Sequence, residues 1–320
     1  MKNMKTAAGM LCLAGILSLG MGTTVFAEDG DSHYPVTITT YNYENEPVEM
    51  TFEKAPEKVF AYANSNIEEL LALGLGDKIV AACGLDGDVR EDLKDEFDKI
   101  QYMDTKPSKE EVVAMEPDFI AAWYSSFSDD WLSDVSFWQE IDVNTYMSLN
   151  SAAKGPASEF PRTIEDEYED ILNLGKIFDC EDKAEEIVDQ MKGEIDKVKE
   201  HVEGTDPLSV AVLEDEGDSF RVYGTETLGG NIPETLGAEL KLGAENSENV
   251  GAEDLIAADP DVLFMINYDG FMTADEAIAD ITDNPAYASL SAVKNNKVFS
   301  VNLNEVYCSG VRTYDGIMTF

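Results

Sequence analysis

The chain has 320 residues, 44% of them hydrophobic, and carries 65 acidic against 22 basic side chains for a formal net charge of −43. That length allows one large or two medium domains with a real core. The charge repels polyphosphate backbones, so nucleic-acid binding is excluded.

The first residues read as an export signal. Lys2 and Lys5 open a Gly-rich apolar run, and Val25-Phe26-Ala27 places small residues for cleavage near Ala27. The run is too short and too Gly-rich to span a membrane. Cys12 lies in its middle without the small residues a lipid-attachment site requires, so no lipid anchor is assigned. Cys83, Cys180 and Cys308 lie far apart, contain no C-x-x-C pair, and read as isolated thiols. The two histidines, His33 and His201, fit no His-rich metal site.

After the signal, Tyr34–Phe52 alternates and turns at Glu44-Asn45-Glu46, predicting a β-hairpin. KVFAYA (58–63) is a strand, Ser65-Asn66 caps a short amphipathic helix closed by Gly74 and Gly76, and KIVAACG (78–84) is a second strand. An acidic helical segment is predicted over 89–100. A helix stopped by Pro117 then leads into the strand FIAAW (119–123). A further helix end and strand occupy 137–149, and a helix over 162–179 leads to the longest periodic stretch in the chain.

That stretch, Glu181–Glu203, repeats apolar residues at Ala184, Ile187, Val188, Met191, Ile195, Val198 and Val202, one stripe on a charged cylinder. Asp179 is its expected N-cap and Gly204 its expected stop. At 1.5 Å per residue it spans roughly 35 Å. Beyond it come a strand, an acidic turn and a strand over 208–224, a short helix in NIPETLGAEL (231–240), helix-Pro-strand over 251–269, a helical stretch over 274–293, the strand KVFSVN (297–302) and the start of a last helix.

Strands alternating with helices on both sides of the long helix predict parallel sheets. An internal echo strengthens this: Glu110–Ile120 matches Glu253–Leu263 at a constant offset, 253 − 110 = 143. The expected fold is α/β, two similar lobes with mainly parallel sheets (28–180 and 204–320) joined by a single long rigid helix (181–203).

The stretches over 54–84, 218–240, 284–302 and 310–317, together with the two helix-Pro-Asp-strand echoes, resemble the substrate-binding proteins of metal-chelate ABC importers, the family that carries iron–siderophores, haem and cobalamin. The resemblance covers nearly all of the mature chain. It implies a ligand cleft between the lobes at the carboxyl ends of the strands. It also implies a ferric siderophore as ligand, with cobalamin or haem as alternatives. No catalysis and no covalent cofactor are implied, and the chain is expected to be a secreted monomer held at the cell surface by its importer. An anionic chelate calls for fixed cations and flat apolar faces. The chain has four arginines. Arg162, Arg221 and Arg312 are expected at one shared cleft, and Arg90 is read as structural. Trp123, Tyr124, Tyr268 and Tyr307 are the aromatic candidates, with Phe127, Trp131 and Phe271 beside them. Tyr124 and Tyr268 are near-equivalents, 268 − 124 = 144. The family docks on its permease through one acid per lobe. By motif these are Glu253 and either Asp129 or Asp130, with Glu110 a rival. The chain stops at Phe320, inside what resembles the family's last helix, which is therefore expected to be cut short. A receptor for a free metal ion or an oxyanion and an α/β enzyme were the competing readings. The first lacks cleft histidines. The second lacks cluster-binding cysteines, a catalytic histidine and any nucleotide motif.

Overall fold

The computed structural model describes residues 33–151, 161–243, 249–268 and 270–320. The export signal, its cleavage site and Cys12 lie outside the described residues. A hairpin of β1 (Val36–Tyr41) and β2 (Pro47–Phe52) comes first, its turn closed by Asn42 and Glu46 as the alternation predicted. The first sheet contains β3 (Val59–Tyr62), β4 (Ile79–Cys83), β5 (Tyr102–Met103), β6 (Phe119–Ala122) and β7 (Asn144–Met147). Their order is β5-β4-β3-β6-β7 and every pairing is parallel. Helices cover both faces of such a sheet, which is why β6 reads FIAA and is buried at all four positions.

The second sheet is built from β8 (Ser209–Asp215), β9 (Phe220–Val222), β10 (Glu239–Leu240), β11 (Asn249–Val250), β12 (Val262–Asn267) and β13 (Val298–Asn302). It runs β11-β9-β8-β12-β13, with β10 also on β8. β12 is parallel to β8 and β13, whereas β9 is antiparallel to β8 and β11. Both sheets reverse their winding beside the first strand, between β3 and β6 and between β8 and β12. Open α/β sheets bind ligands at such a switch point, beyond the carboxyl ends of the strands.

The internal echo is realised in three dimensions. Helix Lys109–Ala114 leads to β6 and helix Ala252–Ala258 leads to β12, each the strand beside the first of its sheet. Glu116 and Asp259, 143 apart, both end the helix in the left-handed region, with φ of 51° and 41°. Asp118 and Asp261, also 143 apart, both turn a carboxylate onto the start of the neighbouring strand. Asp118 accepts from the Glu57 and Lys58 amides at 2.8–3.1 Å, and Asp261 from the Ser209 amide at 3.0 Å.

The long helix runs Glu181–Val202 and buries Ala184, Val188, Met191 and Ile195, the centre of the predicted stripe. Its N-cap is Cys180, with no side-chain cap bond, rather than Asp179. The preceding helix, Ile164–Ile177, ends only three residues earlier, so Asp179 is used to turn the chain at φ 54° and its carboxylate faces His33 instead. The acidic stretch over 89–100 yields only a turn at Glu91–Leu93 and the single helical turn Lys94–Phe97. Of those residues only Leu93 is buried, so no apolar face holds a longer helix in place. NIPETLGAEL was expected as one helix. The helix is Leu228–Thr235, capped by Thr227, and Glu239–Leu240 leaves it to form β10.

The second lobe tolerates little added bulk where that helix meets the turn before it. A Cβ at Gly230 would collide with the Gly224 carbonyl, a backbone atom that cannot swing aside. Gly230→Ala is expected to cost about 1–3 kcal/mol, read as a lower urea midpoint with an unchanged m-value.

Candidate functional site

Beyond the carboxyl ends of the first sheet the chain places a group of aromatic rings. Trp123 follows β6, and its indole N–H donates to Ser65 Oγ at 2.9 Å, which fixes the ring's direction. Across the junction between the lobes Tyr307, following β13, meets it edge to face, with centroids 6.1 Å apart and planes at 74°. Tyr62, the last residue of β3, packs its ring 4.7 Å from that of Trp131. Trp131 is pinned by its indole N–H to the Pro107 carbonyl at 2.6 Å.

Lys106, three residues beyond β5, lays its ammonium over the Trp131 ring at 3.6 Å and lies 5.5 Å from the Tyr62 ring. It forms no ion pair among the described residues. Desolvation lowers its pKa, while the Cys83 thiol at the end of β4 raises it slightly. Burial pushes that thiol up to about 11. Asp86, beside Tyr62, is raised by its own burial. Sequence reasoning passed over Lys106 and Tyr62. The only local signal was a basic residue just after a predicted strand in an acidic chain.

The near-equivalent tyrosines are both placed in stacked pairs. Tyr124 lies on Tyr43 with centroids 4.8 Å apart and planes at 8°, and Tyr268 lies on Phe271 at 4.9 Å and 5°. Tyr124 is thereby tied to the hairpin turn, while Phe271, 70% exposed, offers its outer face to solvent. Tyr223, which follows β9, donates its hydroxyl to Glu214 at 2.9 Å. Burial and that carboxylate both raise the Tyr223 pKa.

Each of the three arginines expected to share the cleft has partners of its own. Arg162 donates through Nε to the Asn150 carbonyl at 2.7 Å, and its amide bonds the Glu226 carbonyl. Arg221 is on β9, half exposed, 3.9 Å from Glu214 and 5.8 Å over the Tyr223 ring. Arg312 is turned away into a bidentate pair with Glu68, 2.7 Å at each contact, and also donates to the Asp88 carbonyl. The pair crosses from the second lobe to the first, and Glu68 is 0% exposed, where a carboxylate requires a cation. Arg90 bonds Asp92 and the Val311 carbonyl and approaches Asp315 at 3.7 Å.

Asp129, Asp130 and Glu253 are exposed and form no ion pair among the described residues. Glu253 is in the first turn of its helix, and the two aspartates follow the Tyr124–Phe127 turn. Among the described residues one histidine meets potential metal ligands. His33 Nδ1 is 3.3 Å from both Asp179 and Glu181, while Nε2 bonds the Lys176 carbonyl at 2.7 Å. This holds the start of the described chain on the helix turn, well removed from the aromatic group in sequence and on a different element. All three described cysteines are free thiols. No helix among the described residues is long and apolar enough to cross a membrane.

Comparison with known proteins agrees with this fold. The chain is 24% identical over 326 residues, 98% of its own length and 96% of the relative's, to the uncharacterized ABC transporter substrate-binding lipoprotein YvrC of Bacillus subtilis. It is also 24% identical to the petrobactin-binding protein YclQ of the same organism, over 80% of this chain and 78% of that one. Among solved structures, a periplasmic binding protein from Veillonella parvula superimposes with a TM-score of 0.82 and 32% identity, covering 88% of this chain and 89% of that one. The family model described as Periplasmic binding protein matches residues 59–302, which include every strand of both sheets, and the chain belongs to that family.

Proposed function

We propose that this protein captures a metal chelate, a ferric siderophore first, in the crevice between its lobes outside the cell membrane, and hands it to the permease of an ABC importer. The observation that carries the reading is the facing pair Trp123 and Tyr307, one ring from each lobe, the first just beyond β6 at the switch point of its sheet and the second in the segment that follows β13. Flat rings there suit the planar ligand groups that wrap a metal ion. Tyr62, Trp131 and Lys106 add an aromatic platform bearing a cation, and the Tyr268–Phe271 stack adds a second apolar face. The petrobactin-binding relative supports an iron chelate as cargo. The exposed Glu253 and Asp129 or Asp130 are the acids assigned to the permease, where their charge would set encounter rate and orientation.

The test is a fluorescence titration of the mature protein with a ferric catecholate, ferric citrate, a ferric hydroxamate, cobalamin and haem. Saturable quenching by at least one iron chelate, with Kd below about 1 μM, is expected. In Trp123→Ala the same ligand should bind about tenfold more weakly. Saturation by none of the five would overturn the reading, and saturation by cobalamin or haem alone would replace the cargo.

A further inference from the structure

Carboxylates crowd the junction between the lobes. Helix Asn64–Ala72 sends in Glu68 and Glu69, and helix Ile164–Ile177 sends in Glu167 and Asp170, all at most 2% exposed. From the second lobe the strap Cys308–Arg312, which follows β13, comes in to meet them. Arg312 neutralises Glu68. One carboxyl oxygen from each of Glu69, Glu167 and Asp170 lies within 4.8 Å of the other two.

These three acids are supported unequally. Asp170 accepts the Tyr146 hydroxyl at 2.8 Å and the Leu149 amide at 3.0 Å. Glu167 accepts the Asn150 amide at 2.6 Å together with the Ser309 and Gly310 backbone amides, so it is the hand that grips the strap. The Glu69 carboxyl has no hydrogen bond or ion pair among the described residues. It packs on the strap as well: a Cβ added to Gly310 would meet Glu69 Oε1 at 2.7 Å. An ionised Glu69 would be a desolvated charge without a donor, beside two further carboxylates, which is a severe penalty in a low-dielectric interior. A proton removes that penalty.

We propose that the lobes are joined by a proton-held latch, in which one proton kept among Glu69, Glu167 and Asp170 lets the first lobe grip the Cys308–Arg312 strap and its departure loosens that grip. The groups facing Glu69 are Glu68 on its own helix, Glu167 and Asp170 on the helix opposite, Tyr146 on β7 and the Cys308 thiol on the strap. Burial, followed by Asp170, Glu167 and Glu68, raises the Glu69 carboxyl well above the usual range. Glu167 is pushed up to about 7 by burial, against the pull of its three donors. The sign follows directly. A carboxyl whose folded pKa exceeds its unfolded value takes up a proton on folding. Its contribution is complete below the unfolded value and is lost as pH rises toward the folded one.

The test compares wild type with Glu69→Gln, a neutral isostere that needs no proton, by urea unfolding from about pH 5 to about pH 8. The ratio of unfolding constants, wild type over variant, is expected to rise about tenfold per pH unit while the folded state alone keeps the proton. Protection of the Ser309 and Gly310 amides in wild type, corrected for intrinsic exchange, should fall over the same range and stay level in the variant. A ratio that does not change with pH would overturn the latch, as would failure of Glu69→Gln to fold, since either means that Glu69 is charged in the native state. Stabilisation of wild type but not of the variant by millimolar MgCl2 at the high end of the range would also overturn it, by placing a cation where the proton is proposed.

Discussion

Arg312→Met is expected to lower stability by about 3–5 kcal/mol, the cost of leaving a buried carboxylate without its cation. The pair is bidentate at 2.7 Å, and the Arg312 side chain is only 12% exposed, so solvent screening offers little relief. Glu68 would keep one donor, the Arg90 amide at 2.9 Å, which is too little for a full charge. Glu68→Gln combined with Arg312→Met removes both charges and should recover most of the loss. Urea midpoints for the two single variants and the double variant measure this. A deficit below about 1 kcal/mol for Arg312→Met would mean that the pair is effectively solvated. The same variant separates the two roles considered for Arg312, since a residue that only joins lobes changes stability while ligand affinity in the folded fraction is preserved.

Lys106→Met should weaken binding of an anionic ferric chelate by about 10- to 100-fold and leave a neutral one nearly unchanged. Two unit charges 4 Å apart interact by about 4 kcal/mol at an effective dielectric of 20, and part of this is returned when the variant's site rehydrates. The residue carries this weight because three of the four arginines face carboxylates. Arg312 faces Glu68, Arg90 faces Asp92 and Asp315, and Arg221 shares Glu214 with Tyr223. In a chain of net charge −43, a local ammonium held on an indole rather than on a carboxylate keeps its field directed outward. Met preserves the apolar contact with Trp131, so the charge alone is removed. Titrations of wild type and variant with one anionic and one neutral chelate at two ionic strengths check it. Equal losses for both ligands would assign Lys106 to packing.

Periodicity and punctuation were enough for the scaffold. The 143-residue echo carried its whole local grammar in eleven residues: a helix, an acidic left-handed stop, Pro, an Asp that holds the neighbouring strand, and a buried strand. All of these features recur in both sheets. The stripe on Glu181–Val202 and the tight turn of the hairpin were equally readable, because a helix or strand face is set by residues three, four or two positions apart.

The pairing of charges was not readable in this way. Glu68, Glu69, Glu167 and Asp170 have the local pattern of solvated helix faces, yet each is buried, and Glu68 and Glu167 find Arg312, Ser309 and Gly310 more than 140 positions away in sequence. Lys106 likewise owes its interest to a ring 25 positions on, brought near by the packing of loops beyond β5 and β6. Backbone periodicity is a short-range property, so neighbours in the chain disclose it. The environment of a charge depends on which distant groups displace water around it, and in this protein that was decided when the strap following β13 closed onto the first lobe.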